Sequence, residues 1–390
     1  MRSMISLTAL AVFLSCSLTG CGGGGGSTVT IPPVSQASLP TISTTAAQNG
    51  AVIVAIADTT PGASIHYTTD GSAPGSSSQV YEAPFLVAAN LTVNAIATAQ
   101  GYTASNVASK AFTPNIASGT LVWADEFTNT SGANAQPNPT VWGYDTGASG
   151  WGNNELEDYC AWGSSASPCN PASPNAFVGT DGYLHLVAQS LGGSSYTSAR
   201  IKTEGLFSFQ YGRIEAKIWV PEGQGIWPAF WALGNNITTV NWPASGEMDI
   251  MERINAAGSS PAGGGAMLPP GSPDWNEGSI HGPGFIGGTG LGTVYNFPAG
   301  QTAAGWHTYG MIWSKNTVSY YIDDPSTPYV TYTNPASLNG LPGAVWPFDA
   351  GQGVFLICNI AVGGNWPGNP NNTTPFPAEL LIDYVRIYTN

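Results

Sequence analysis

Basic side chains are scarce in this sequence: 9 Lys and Arg stand against 23 Asp and Glu, a formal net charge of −14 over 390 residues. A nucleic acid or an anionic polysaccharide needs a cationic footprint to neutralise its charges, so the composition argues against both as partners. Charge of either sign is thin, at 8% of residues, which makes any local cluster of carboxylates conspicuous. Strong helix formers are few and no long helical periodicity appears, whereas Gly (50) and Pro (30) are abundant. That balance predicts an all-β protein. Cysteine is also limited, to 5 residues, and no Cys/His spacing suggests zinc. Cys160 and Cys169 lie close together among turn residues and are candidates for a disulfide closing a small loop. Cys358, inside the apolar run 354–360, reads as a buried free thiol.

What the chain does have begins with an export segment. Arg2 and the apolar run 4–14 form a signal too short for a stable membrane span. It ends in Leu18-Thr19-Gly20-Cys21, which is similar to a bacterial lipobox. The match implies a lipoprotein signal peptide over 1–20, cleavage before Cys21, and a diacylglycerol on its sulfur. A Gly-rich linker over 21–37 then acts as a flexible leash. The expected location is the bacterial cell envelope, lipid-anchored at the outer membrane or cell surface, or else secreted. A membrane contact through Cys21 and a monomeric chain are expected.

Residues 38–114 form a first unit. β-prone runs at 51–56, 64–67 and 91–96 are separated by turn clusters at 60–62, 70–72 and 100–101, the pattern of a small β-sandwich. The stretch GASIHYTTDGSAPGSSSQVYEAPF, followed by LTVNAIATAQGYTASNVAS, resembles the chitobiase/β-hexosaminidase C-terminal-type accessory domain. The resemblance implies an immunoglobulin-like module that either binds sugar or spaces an enzyme from its anchor. It contributes Tyr67, Tyr81 and Tyr102 but no tryptophan, which favours the spacer. His66 needs no special role.

The second unit, 119–390, is long enough for one large β-sandwich. Strands are expected at 183–188, 212–219, 248–251, 307–313, 317–322, 354–362 and 382–388. The segment 256–277 is rich in Gly, Pro and Ser and reads as a long loop, of a length that usually serves function.

This unit is organised around residues 246–255, GEMDIMERIN. On a regular strand Glu247 and Asp249 would share a face while Glu252 pointed the opposite way, into the core beside Met248 and Ile250. An unpaired carboxylate there is costly, so one extra residue, most simply Met251, is expected to restore the parity as a β-bulge. Two carboxyls across a short gap of about 5–5.5 Å supply the nucleophile and general acid of a retaining glycosidase. The aspartate between them adds like-charge repulsion that keeps a neighbour protonated. From these residues alone, a calcium-binding cluster or a polar sheet face stays open.

Further motifs narrow the choice: WADEF, WGNNELEDY from Trp151, YTSARIKT from Tyr196, YGRIEAKIWVP from Tyr211, GIWPAFWALG from Gly225, WPASGEMDIME from Trp242, IHGPG from Ile280, NIAVGGNWPG from Asn359 and IDYVRIY from Ile382. Together and in this order they resemble glycoside hydrolase family 16 on its laminarinase side. The resemblance implies a β-jelly-roll sandwich with an open glycan cleft, retaining chemistry, and no catalytic cofactor. Glu247 is then the nucleophile, Glu252 the acid/base and Asp249 the residue that tunes both. Trp227, Trp231 and Trp242 become aromatic platforms; Asn154 and Arg200 bind sugars on the non-reducing side; His281 lies close to Glu252. His185 and His307 are expected to be structural. Glu126 and Asp383 fall where relatives often hold a structural calcium. The implied activity is endo-hydrolysis of β-1,3-glucan. Mixed-linkage glucan, an agar-type galactan, or a non-catalytic glucan-binding lectin are the alternatives.

Overall fold

The computed structural model describes residues 34–254, 274–287 and 290–390. Cys21 and most of the expected loop 256–277 lie outside the described residues. The described chain is almost entirely β, with helix confined to short pieces such as Ile237–Val240 and Ala336–Leu338. Among the described residues no helix is long and apolar enough to cross a membrane.

The N-terminal unit is built from two small antiparallel sheets. One joins Thr41–Ala46, Val52–Ala57 and Phe85–Val87; the other runs Gln79–Val80, Ser64–Thr68, Leu91–Thr98, Ala108–Phe112. Period-2 alternation sends Val54, Ile56, Val93 and Ala95 inward, with Tyr67 stacked on Phe85 at 5.3 Å between ring centroids.

The larger unit packs two sheets around one core. The cleft sheet has seven strands in the order Leu291–Asn296, Trp275–His281, Glu247–Glu252, Ile226–Gly234, Val354–Val362, Arg200–Lys202, Gly143–Asp145. Each is antiparallel to its neighbour. The second sheet has ten strands and is centred on Ala378–Tyr388, Gly212–Trp219 and Trp306–Ser314. Ile214, Ala216 and Ile218 from the second sheet meet Phe230, Ala232, Leu356, Cys358 and Ile360 from the first in one continuous core. All nine residues of Val354–Val362 are buried, so this central strand is covered on both faces. The segment expected as loop up to 277 is already strand from Trp275, because cross-strand pairing with Leu291–Asn296 captures it.

The two units are joined by more than the chain between them. Leu86 N donates to Ser208 O and Ser208 N to Pro84 O, both at 2.9 Å. Gln48 N donates to Val122 O at 3.1 Å, and Asn49 Nδ2 to Leu121 O at 2.8 Å. Ala51, only 1% exposed, belongs to the larger core, and Ala47, Ile53 and Leu86 pack against it. Glu82 accepts from Thr238 Oγ1 at 3.1 Å, on the short helix that leads toward Trp242.

Cys160 and Cys169 form a disulfide and Cys358 is a buried free thiol. His185 sits between Asp181 and Glu379, and His307 against Asp323, as structural histidines do. Glu126 gives both oxygens to Arg386, at 2.8 and 2.9 Å, and Asp383 is paired with Lys217 at 2.8 Å. Each of these two carboxylates is thus paired with a cationic side chain.

Candidate active site

Gly246 sets the entry to the acid strand. Its φ of +80° is left-handed, and a Cβ there would stand 2.8 Å from Pro347 and 2.9 Å from Phe348, so only glycine is accommodated. Along the strand that follows, Trp231 faces Asp249 and Phe230 faces Met251, which leaves Ile250 unmatched. On the other side Asp249 faces Ser279 and Glu252 faces Glu277, three steps against two. The unmatched residue on the Ile226–Gly234 side is therefore Ile250, one place before the expected Met251, because Met251 keeps its pairing with Phe230. Met248, Ile250 and Met251 all enter the core. Glu247, Asp249 and Glu252 are left to act on one another.

Each acid has a dedicated donor. Trp242 Nε1 donates to Glu247 Oε2 at 2.7 Å, and Trp227 Nε1 to Glu252 Oε1 at 2.9 Å. Ser279 Oγ donates to Asp249 Oδ2 at 2.7 Å, with His281 Nε2 3.2 Å from the same oxygen and 4.0 Å from Glu247 Oε1. Tyr320, fully buried beneath, fixes this strand by donating to Ser279 O at 2.7 Å.

Burial alone would lower the His281 pKa, but its hydrogen bond to Asp249 and the surrounding carboxylates outweigh that and lift it to about 9. A cation is therefore built into the site at neutral pH. Burial, then the Asp249 charge, raises the Glu247 carboxyl, while His281 and the Trp242 donor oppose the rise. Burial, then Asp249 and Glu277, raises the Glu252 carboxyl well above the carboxylate range. Glu247, Asp249 and His281 each offer an atom within 4.8 Å of the others. Those atoms are engaged with one another and with Trp242 and Ser279, so the group is already internally paired.

The rest of the cleft face extends over neighbouring strands. Arg200 pairs with Asp145 at 2.9 Å, and its guanidinium lies 4.8 Å from the Trp231 ring centroid and 5.1 Å from that of Trp151. Trp231 Nε1 donates to Asn359 Oδ1 at 2.8 Å, and Asn154 Nδ2 to Asn365 Oδ1 at 2.8 Å. Trp242 is 45% exposed, an open ring beside Glu247, whereas Trp227 packs edge-on against Trp366 at 5.1 Å. Glu247, Asp249, Glu252, Trp227, Trp242 and His281 therefore gather in one place, and Trp231, Arg200 and Asn154 stand further along. Sequence reasoning does not single out Ser279 or Glu277: their period-2 spacing ahead of His281 is the available signal, and the Gly- and Pro-rich run before Glu277 masks it.

Comparison with known proteins fits this geometry. Residues 44–109 match the chitobiase/beta-hexosaminidase C-terminal domain, and residues 173–385 match glycosyl hydrolases family 16. The chain is 36% identical over 278 residues to a beta-glucanase of Rhodothermus marinus, covering 69% of this chain and 84% of the relative. It is 33% identical over 303 residues to glucan endo-1,3-beta-glucosidase A1 of Niallia circulans, covering 70% of this chain but only 38% of that longer relative. The solved catalytic domain of an endo-1,3-beta-glucanase (laminarinase) from Thermotoga petrophila RKU-1 superposes with a TM-score of 0.57 at 35% identity, over 70% of this chain and 99% of that one. The chain belongs to glycosyl hydrolase family 16: it is a glycoside hydrolase, and a domain of the chitobiase/β-hexosaminidase C-terminal type precedes its catalytic domain.

Proposed function

We propose that the enzyme is a retaining endo-β-1,3-glucanase in which Glu247 is the nucleophile and Glu252 the acid/base. The observation that carries this reading is the unequal environment of the two glutamates. His281 acts on both, but Glu247 has Trp242 as its donor, while Glu252 has Trp227 as its donor and meets the further like charge of Glu277. A Glu247 oxygen attacks the anomeric carbon as Glu252 gives its proton to the departing glycosidic oxygen. Glu252, now a carboxylate, takes a proton from water attacking the same carbon, and Glu247 is released. Asp249, held by Ser279 and His281, fixes the charge between them and tunes both.

Trp242 offers its exposed ring to a sugar beside Glu247, and Trp231, Arg200 and Asn154 extend the binding face on the non-reducing side. The names of the relatives support β-1,3-glucan and endo action. The paucity of basic residues speaks against sulfated galactans. The enzyme is further proposed to be anchored through a lipidated Cys21.

The test is chemical rescue. Glu252→Ala with azide is expected to yield the β-configured glycosyl azide, and Glu247→Ala with azide the α-configured one. The reverse pairing would exchange the two roles, and inversion in the wild-type products would end the retaining mechanism.

A further inference from the structure

A fourth carboxyl stands in the cleft with no part in making or breaking the glycosidic bond. Glu277 lies on Trp275–His281, where alternate residues 277, 279 and 281 share a face. Ser279 and His281 both touch Asp249, so that face is the one turned to the acids. In register, Glu277 is directly opposite Glu252. The strand beyond leaves room for it: a Cβ on Gly292 would stand 2.3 Å from Glu277 Oε1, so a side chain there would displace the carboxyl.

Among the described residues, these groups act most strongly on Glu252. Its own strand contributes Glu247 and Asp249, the neighbouring strand Glu277 and His281, and the strand on the other side the Trp227 donor. Glu247 and Asp249 are offset by Trp242, Ser279 and His281. Among the described residues no side-chain hydrogen bond acts on the Glu277 carboxyl; His281 opposes its rise through space, and its charge in turn raises Glu252. The sheet order adds a direction. Arg200 lies three strands to one side of the acid strand and Glu277 one strand to the other. On the proposed placement of the non-reducing sugars at Arg200, Glu277 is on the side from which the leaving group departs.

We propose that Glu277 is a positioning residue for the hydrolysis, the cross-strand like charge that keeps the proton on Glu252 until the leaving group takes it. This rests on the assignment of Glu252 as acid/base. Burial, then Asp249, holds the Glu277 carboxyl near 7. Below that pH it is neutral and bears little on Glu252; above it, Glu277 is ionised just as the solution begins to draw the acid's proton away. The residue thereby extends the working range on the alkaline side.

The measurement is the pH profile of kcat/KM for Glu277→Gln on soluble β-1,3-glucan. The amide keeps the shape and removes the charge, so the alkaline limb should move down by about 1 unit, the effect of one near charge on a carboxyl. The ratio of variant to wild-type activity should fall about tenfold from the acid to the alkaline end, and Glu277→Asp should return the limb toward wild type. A limb that stays in place or moves up overturns the proposal. Carbon-13 carboxyl titration of the unaltered enzyme provides an arm independent of folding in the variant: the Glu252 signal should respond in a step that coincides with Glu277, and a single uncoupled step overturns it. If azide rescue fails while this coupled step is seen, the assignment of Glu252 has failed and the carboxyl coupling has not.

Discussion

Trp227→Phe tests the electrostatics of Glu252, the proposed acid, from the opposite direction. The indole nitrogen donates to Glu252 Oε1 at 2.9 Å. Phenylalanine removes that donor but keeps an aromatic ring against Trp366, which now packs edge-on at 5.1 Å. A donor stabilises the carboxylate more than the acid, so losing it raises the pKa of Glu252. A hydrogen bond to a charged group contributes about 1.5–3 kcal/mol, and one unit corresponds to roughly 1.4 kcal/mol, giving an upward shift of about 1–2 units. The alkaline limb of kcat/KM on soluble β-1,3-glucan should move up by that amount while the acid limb, which follows Glu247, stays in place. Any role of the Trp227 ring as a sugar platform changes the height of the profile but not the position of its limbs. A limb that moves down, or not at all, in a folded variant would refute the reasoning.

Immediately after the acid, Arg253 is fully buried and clamped on Asp274 at 3.0 and 3.1 Å and on Glu222 at 3.2 Å. Arg253→Met leaves Asp274 charged in the interior, and denaturant unfolding should show a loss of about 3–5 kcal/mol, partly recovered by adding Asp274→Asn; a loss below about 1 kcal/mol would contradict the clamp. Cys21→Ala should abolish lipidation and move the protein from the detergent phase to the aqueous phase of a partition assay. Aqueous behaviour of the unaltered protein would dispose of the anchor.

Strand periodicity made much of the sandwich legible, since 212–219 alternates and 354–362 is apolar at every position but Asn359. The parity of Glu247, Asp249 and Glu252 likewise required an extra residue, but which residue is a matter of packing. Met251 and Ile250 are both apolar, and only the pairing with Phe230 distinguishes them. Arg200 illustrates the same limit. Its partner Asp145 lies 55 positions earlier in the chain (200 − 145), brought beside it by strand pairing that no local pattern announces. The resemblance implies Trp227 as an aromatic platform, but that its nitrogen donates to Glu252, 25 positions on, is a contact no local pattern announces. Glu277 was obscured by its flanks, since the Gly- and Pro-rich residues before it masked the alternation that follows.

Ser208 exchanges backbone hydrogen bonds with the 84–86 segment, and Ala51 lies at 1% exposure inside the neighbouring core. Chemically, the seam between the units resembles a domain interior more than a hinge. Replacing the N-terminal unit with another member of its own family would be a graft rather than a splice: the newcomer would need an edge to pair with Ser208, an amide to meet Leu121, and small apolar groups where Ala47 and Ala51 now sit. The unit that sequence alone presents as a detachable spacer is therefore seated on the catalytic domain by backbone pairing and shared apolar burial.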